Sequence, residues 1–278
     1  MTERPLTRAT RLLLLVYSGL GLAAGVPLFL GTENTDEYFA WTIKPPLTAA
    51  FLGAAYWATF LFYVFSSRER TWARARLTLP VGFAFTTLML VATLIHLDRF
   101  HLHASGRVAQ GVAWSWLVVY VAVPPLTLGF LIRQWRLPGV DSLRKESMPS
   151  WMRVSLGLQS AVMVGLGVAL LAAPQTADAV WPWALSPLTG RATGAWLVGI
   201  GAAAAYTVVE NELDRVRWAF VSFGALAVLE AVAVARFSGT PDWGGVRIWV
   251  YLLFLLTLLV VALAGLLRVS KATAPVAR

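Results

Sequence analysis

"PLTAAFLGAAYWATFLFYVFSSRERTWARAR" occupies residues 46–76, and "PLTGRATGAWLVGIGAAAAYTVVENELDRVR" occupies residues 187–217. Each opens on Pro-Leu-Thr, runs through a long apolar stretch and closes on a glutamate followed by arginines. At an offset of 141 the shared residues fall on one another. Pro46-Leu47-Thr48 matches Pro187-Leu188-Thr189, Gly53 matches Gly194, Glu69 matches Glu210, Arg74 matches Arg215 and Arg76 matches Arg217. About 20 apolar residues at helical rise cross the hydrocarbon core of a bilayer. Peptide groups there have no water to bond, so a single run can satisfy them only as a helix.

The composition extends that reading to the whole chain. Of 278 residues, 58% are hydrophobic and 13% charged, against about 25% charged in a soluble domain. Charge-free or nearly charge-free runs occur at 12–30, 46–66, 77–95, 108–132, 154–173, 192–209, 218–235 and 248–267. The first lies behind Arg4, Arg8 and Arg11, as a signal peptide would, but its length and the lack of a small-residue cleavage site make it a retained span. With no cysteine in the chain, disulfides and thiolate metal sites are excluded. The fold class expected is therefore all-α integral membrane, with eight transmembrane helices.

Lysine and arginine set the orientation. With the N-terminus in the cytoplasm, 17 of the 23 basic residues fall on the cytoplasmic side, and every cytoplasmic loop is basic. Both termini are then cytoplasmic, in a plasma membrane of bacterial inner-membrane type. The net charge of +9 is accounted for by loops facing anionic lipid headgroups, which makes nucleic acid the wrong partner. A membrane-protein partner or a second copy of the chain remains open.

The matches continue beyond the opening pair. Arg11 falls on Arg153, Asp36 on Asp178 and Trp41 on Trp183 at offset 142, and Arg99-Phe100 on Arg236-Phe237 at offset 137. The reading is a tandem duplication, with a first four-helix repeat at 1–140 and a second at 141–278. Four spans per unit make the repeats parallel, related by an axis along the membrane normal. "TDEYFAWTIKPPLT" (35–48) and "TADAVWPWALSPLT" (176–189) then lie at equivalent places on the outer face. Thr35 or Asp36, and Thr176 or Asp178, suit the N-cap of a short interfacial helix. Tyr38, Phe39, Trp41, Trp181 and Trp183 suit the headgroup boundary. Small-residue pairs at Gly21/Gly25, Ala161/Gly165 and Ala195/Gly199 let helices approach closely. "KPP" at 44–46 followed by "FLGAAYW" at 51–57 resembles the tryptophan-rich tetrapyrrole-binding membrane proteins. That family is built from fewer spans, so no residue role is carried across.

Three places offer chemistry. Glu230 is the ionisable side chain well inside a span. Such residues are costly, face the protein interior and are functional by default. It is expected to pair with an outer cation (Lys44, Arg99 or Arg236), to stay protonated, or to bind a proton or cation in transport. "HLDRFHLH" at 96–103 holds all three histidines with Asp98 and Arg99. Asp98, His101 and His103 have tolerable metal-ligand types, but no signature spacing. Haem ligation by two histidines needs them on facing helices, so no cofactor is assigned. Pro124 and Pro125 interrupt the fourth span and weaken the pairing of the Tyr120 and Val121 carbonyls, with Tyr120 and Thr127 as the adjacent polar groups. The ligand-binding set is thus Glu230, His96, Asp98, Arg99, His101, Lys44, Tyr120 and Thr127. The loop at 134–152 is a basic linker, and the tail "SKATAPVAR" should be disordered.

No phosphate loop, serine-hydrolase elbow or dinucleotide fingerprint is present. The leading expectation is a non-enzymatic membrane protein that binds or moves a small solute or ion, or serves as a subunit of a membrane complex. The alternatives are a membrane enzyme acting on a lipid or quinone at the outer face, with His96, Asp98 and His101 as its groups, and a purely structural or assembly factor.

Overall fold

The computed structural model describes residues 2–273, the side chains of residues 176–178 and 272–273 excepted. Among these residues the chain is helical, with ten α-helices and no β-strand. The helices are α1 (Arg8–Leu30), α2 (Thr35–Tyr38), α3 (Pro46–Ser66), α4 (Thr78–Ile95), α5 (Arg107–Trp135), α6 (Ser150–Ala172), α7 (Ala177–Val180), α8 (Pro187–Glu210), α9 (Leu213–Arg236) and α10 (Val246–Thr273). Eight of them, all but the four-residue α2 and α7, are long and apolar enough to cross a membrane. The protein is a multi-pass helical membrane protein. Its lipid-facing surface is carbon: Leu12, Val118, Leu158, Leu253 and Leu263 are among the large apolar side chains left exposed, as a bilayer solvent permits.

Most spans are longer than the apolar runs suggested. α8 begins at Pro187 rather than 192, and α9 at Leu213 rather than 218. Both starts have a polar cap: Ser186 Oγ accepts from Thr189 N (3.3 Å), and Glu212 accepts from Arg215 N (2.7 Å). Hydropathy alone does not see a polar first turn. Pro46 and Pro187 stand in the first turns of α3 and α8, where a missing N–H costs nothing. α5 passes through Pro124 and Pro125 as one continuous helix. Thr127 Oγ1 donates to the Val123 carbonyl there (2.7 Å).

α3 and α8 are the most buried spans. α3 lies along α1 and α8 along α6, while α3 also packs on α9 and α8 on α4. α5 covers α4 and α10 covers α9. The closest approaches are made by glycines. A Cβ on Gly25 would stand 3.2 Å from the Gly53 carbonyl oxygen, and one on Gly53 would stand 2.5 Å from the Phe29 nitrogen. A Cβ on Gly167 would stand 2.8 Å from the Gly194 oxygen, and one on Gly194 would stand 2.7 Å from the Gly167 oxygen. Between the same helices, Ser18 Oγ donates to the Phe60 carbonyl (3.4 Å) and Ser160 Oγ to the Gly201 carbonyl (2.8 Å). The small-residue expectation for α6 fell on the wrong face. Gly165 meets nothing within 4 Å, and the contact is made by Gly167. Two residues along a helix is more than half a turn.

At the end of the bundle where α3 and α8 stop, charges pair across the molecule. Arg217 binds Glu69, and Arg76 Nε binds Glu210 (2.7 Å). Arg215 Nη1 also binds Glu210 (2.7 Å), and Arg74 approaches Glu69 (3.7 Å). Asp214 receives Arg217 (2.8 Å) and Arg74, and Asp141 receives Arg76 (2.5 Å). Arg74, Arg76, Arg215 and Arg217 are therefore engaged by carboxylates, though sequence reasoning had directed them to lipid headgroups. The loop expected to be a simple linker closes this end. Val140 O accepts from Arg4 N (3.0 Å), Ser142 O accepts from Arg215, and Glu146 O accepts from Leu213 N (3.0 Å). α10 runs to Thr273, so the start of the segment expected to be a disordered tail is helical. The rest of that tail lies outside the described residues.

The glycine contacts carry a direct test. Gly194→Leu should cost about 1–3 kcal/mol by overpacking, read as a lower thermal midpoint of the purified protein. Gly165→Leu, facing open space, should stay within about 0.5 kcal/mol of wild type.

Candidate functional site

Glu230 sits in α9 six residues before the helix ends at Arg236, about 9 Å along the axis. Its side chain is buried at 1% exposure. One oxygen, Oε2, accepts a hydrogen bond from the Tyr251 hydroxyl of α10 (3.1 Å). The other, Oε1, has no partner among the described residues. A cavity of about 120 Å³ opens beside it, walled by Phe51 of α3, Trp181, Leu226 of α9, and Tyr251 and Phe254 of α10. Expected partners are elsewhere. Arg236 binds the Phe29 and Leu30 carbonyls, Arg99 pairs with Asp98 (3.0 Å) on the surface, and Lys44 is exposed.

The cavity roof comes from the second tryptophan motif. Trp181 meets Phe51 edge to face (centroids 5.3 Å apart, 84°) and Tyr251 at 5.9 Å. Trp183 meets Tyr251 at 5.5 Å, and its indole N–H donates to Thr48 Oγ1 (2.9 Å). These contacts hold the Tyr251 ring with its hydroxyl on Glu230. The first motif is buried as well. Trp41 packs on Phe39 (4.9 Å), Phe100 (5.4 Å) and Trp116 (5.0 Å). Phe39, Trp41, Trp181 and Trp183 are each 5% exposed or less, which corrects the expectation that they anchor at the headgroups. Edge-to-face packing of the rings on one another adds to what their burial contributes. Helix α2 starts at Thr35, but the cap expected there is absent: the Thr35 hydroxyl bonds Ile43 N (2.8 Å) and O (3.3 Å) across the loop. The caps expected at Thr176 or Asp178 fall on side chains outside the described residues.

The histidine stretch is divided. His96, Asp98 and Arg99 line a polar vestibule of about 460 Å³ with Trp41, Thr42 and Ser186. His96 Nε2 lies 2.6 Å from Arg191 Nη1, so the imidazole accepts. Burial, and then the Arg191 charge, push the His96 pKa below its ordinary value of 6.5. His101 faces the other way. Its Nδ1 pairs with the Phe39 carbonyl (2.9 Å) and its Nε2 with Thr42 Oγ1 (3.1 Å), so it fixes the loop that presents Trp41. Among the described residues no three His, Asp or Glu side chains gather to hold a metal.

Tyr120 and Thr127 lie apart from both places. The Tyr120 hydroxyl meets that of Tyr56 (2.8 Å), and Thr127 Oγ1 meets the Tyr17 hydroxyl (2.8 Å). Tyr17 stacks on Tyr63 (4.7 Å) beside a cavity of about 70 Å³ that Thr86 and Trp196 also line. The hydroxyls there satisfy one another. Sequence reasoning placed eight residues in one set, and the structure separates them: Glu230 beside its cavity, His96, Asp98 and Arg99 at the vestibule, His101 on the 39–42 loop, Lys44 on the surface, and Tyr120 and Thr127 in hydroxyl pairs. It missed Tyr251 and Phe51 and read Trp181 as a headgroup residue, and these three make the Glu230 environment. Tyr251 left a signal as a polar group five residues into α10, and Trp181 as part of the repeated motif.

Compared with known protein families, curated proteins and solved structures, the chain matches none. The resemblance at 44–57 to tetrapyrrole-binding membrane proteins accordingly gains no support.

A histidine with a lowered native pKa favours folding while neutral and loses that contribution as pH falls below its unfolded value. The stability advantage of wild type over His96→Ala should therefore shrink between pH 7.5 and 5.5, the window set by the 6.5 reference. Paired thermal melts at the two values read it.

Proposed function

We propose that this protein is a membrane-embedded binding protein or carrier for a small solute, and that the Glu230 cavity is its site. The carrying observation is the buried Oε1, which lacks a partner among the described residues and adjoins a cavity. A buried carboxyl oxygen left unpaired in an apolar setting is expensive. Intramembrane ionisable groups are retained for function, and a mostly apolar pocket with a few converging polar groups is the usual form of a small-molecule site.

The proposal includes the architecture. Residues 1–140 and 141–278 form two parallel four-helix repeats, both termini are cytoplasmic, and α2 and α7 lie on the outer membrane face. Three sets of contacts support the repeat. Gly25 with Gly53 corresponds to Gly167 with Gly194, and Ser18 with Phe60 to Ser160 with Gly201, at the sequence offsets of 141 and 142. Glu69 with Arg217 corresponds to Glu210 with Arg76, each partner exchanged between halves. Such reciprocal exchange is what a twofold interface produces. The contacts of His96 and His101 with Arg191 and the 39–42 loop account for those residues structurally, which leaves the outer-face enzyme with less support.

Native mass spectrometry of protein taken from membranes without added solute tests the site. Wild type should carry a small bound molecule, and Leu166→Trp, which fills the cavity from α6, should lose it while remaining monodisperse. A bare wild-type mass in a folded protein contradicts the reading.

A further inference from the structure

The cavity's chemistry narrows the solute, given the reading that this cavity is the site. Hard metal cations take six or more oxygen ligands. Here the wall supplies two oxygen-bearing side chains, Glu230 and Tyr251, so an inorganic cation finds no shell. A plain hydrocarbon would fill the volume and leave Oε1 unpaired. An organic ammonium meets both requirements. Its N–H donates to Oε1 in a charge-assisted bond, and its carbon skeleton packs on Phe51, Trp181 and Phe254, whose rings also attract cations.

We propose that the Glu230 cavity binds a small lipophilic ammonium, about one ring in size. The free volume of about 120 Å³ is close to that of the roughly 150 Å³ cavity that takes up benzene, so a single ring is the scale of solute it suits. The route in is from the bilayer. Val162 of α6 and Val250 of α10 both line the cavity, yet each is more than half exposed on the apolar outside of the bundle. The solute must therefore partition into lipid as well as carry a charge. Arg247, the other charged residue of the lining, stands one turn before Tyr251 at the start of α10 and reaches the Trp181 carbonyl (3.4 Å). It borders the site without pairing across the cavity to Oε1.

Isothermal titration calorimetry of the full chain in detergent tests this with three probes of one shape: benzylamine, benzyl alcohol and toluene. Wild type should bind benzylamine at least about tenfold more tightly than benzyl alcohol, the difference expected of a charge-assisted bond. Glu230→Gln should bring benzylamine down to the benzyl alcohol level and leave benzyl alcohol unchanged. The comparison of probes on wild type stands even if that variant does not fold. Equal or tighter binding of benzyl alcohol or toluene overturns the ammonium and leaves the cavity as a site for neutral solutes. Binding of none of the three overturns the ammonium, and a bare wild-type mass in the native spectrum then removes the site itself.

Discussion

Hydrocarbon offers no hydrogen bonds, and that constraint organises the molecule. Every peptide group in the spans must find its partner within its own helix. With lipid on one side and other helices on the other, apolar burial supplies little force for association. Close packing has to do the work instead. That is why α1 on α3, and α6 on α8, meet at Gly25, Gly53, Gly167 and Gly194, where backbones come within the space of a single Cβ. Water returns at the ends of the spans, and there the chain changes method. Arg76 and Arg215 meet on Glu210, and Arg217 meets Glu69 and Asp214, two clusters that each span both halves. A buried ion pair is not by itself evidence of stability. Its effect here is positional, since each charge has a partner in only one register of the two halves.

Against that background Glu230 stands out. Thr127 is covered by the Val123 carbonyl and Thr93 by the Met89 carbonyl, and while Gln159 Oε1, Thr193 Oγ1 and Trp196 Nε1 also lack a partner among the described residues, those groups carry no charge. Glu230 is covered on one oxygen only, by a tyrosine held in place through rings contributed by Trp181 and Trp183. Under the proposed duplication, the two halves have diverged at this point. Helices of the first half carry a closed set of hydroxyl pairs, Tyr17 with Thr127 and Tyr56 with Tyr120, and helices of the second carry a carboxyl with an open oxygen.

What was legible in the sequence follows from the same physics. The eight spans could be read because lipid imposes one length and one polarity on each. Helix ends were less legible, since Ser186 and Glu212 cap with side chains that lower the local hydropathy. The importance of Glu230 was visible from its chemistry. Its surroundings were not, because the residues that wall it are separated by up to 207 positions, from Phe51 to Leu258, and nothing in an apolar run states which helix it will face. The tryptophans misled for a related reason. Tryptophan suits a headgroup boundary and an aromatic core equally well, and only the packing of Trp41 on Phe39, Phe100 and Trp116 decides between them.

Glu230 Oε1 is open among the described residues. An experimental density map of the protein in lipid nanodiscs, read at Glu230, is the most direct measurement. The account predicts non-protein density in the cavity within hydrogen-bonding reach of Oε1. A cavity closed by side chains, with Oε1 bonded to a group of the protein itself, would contradict it.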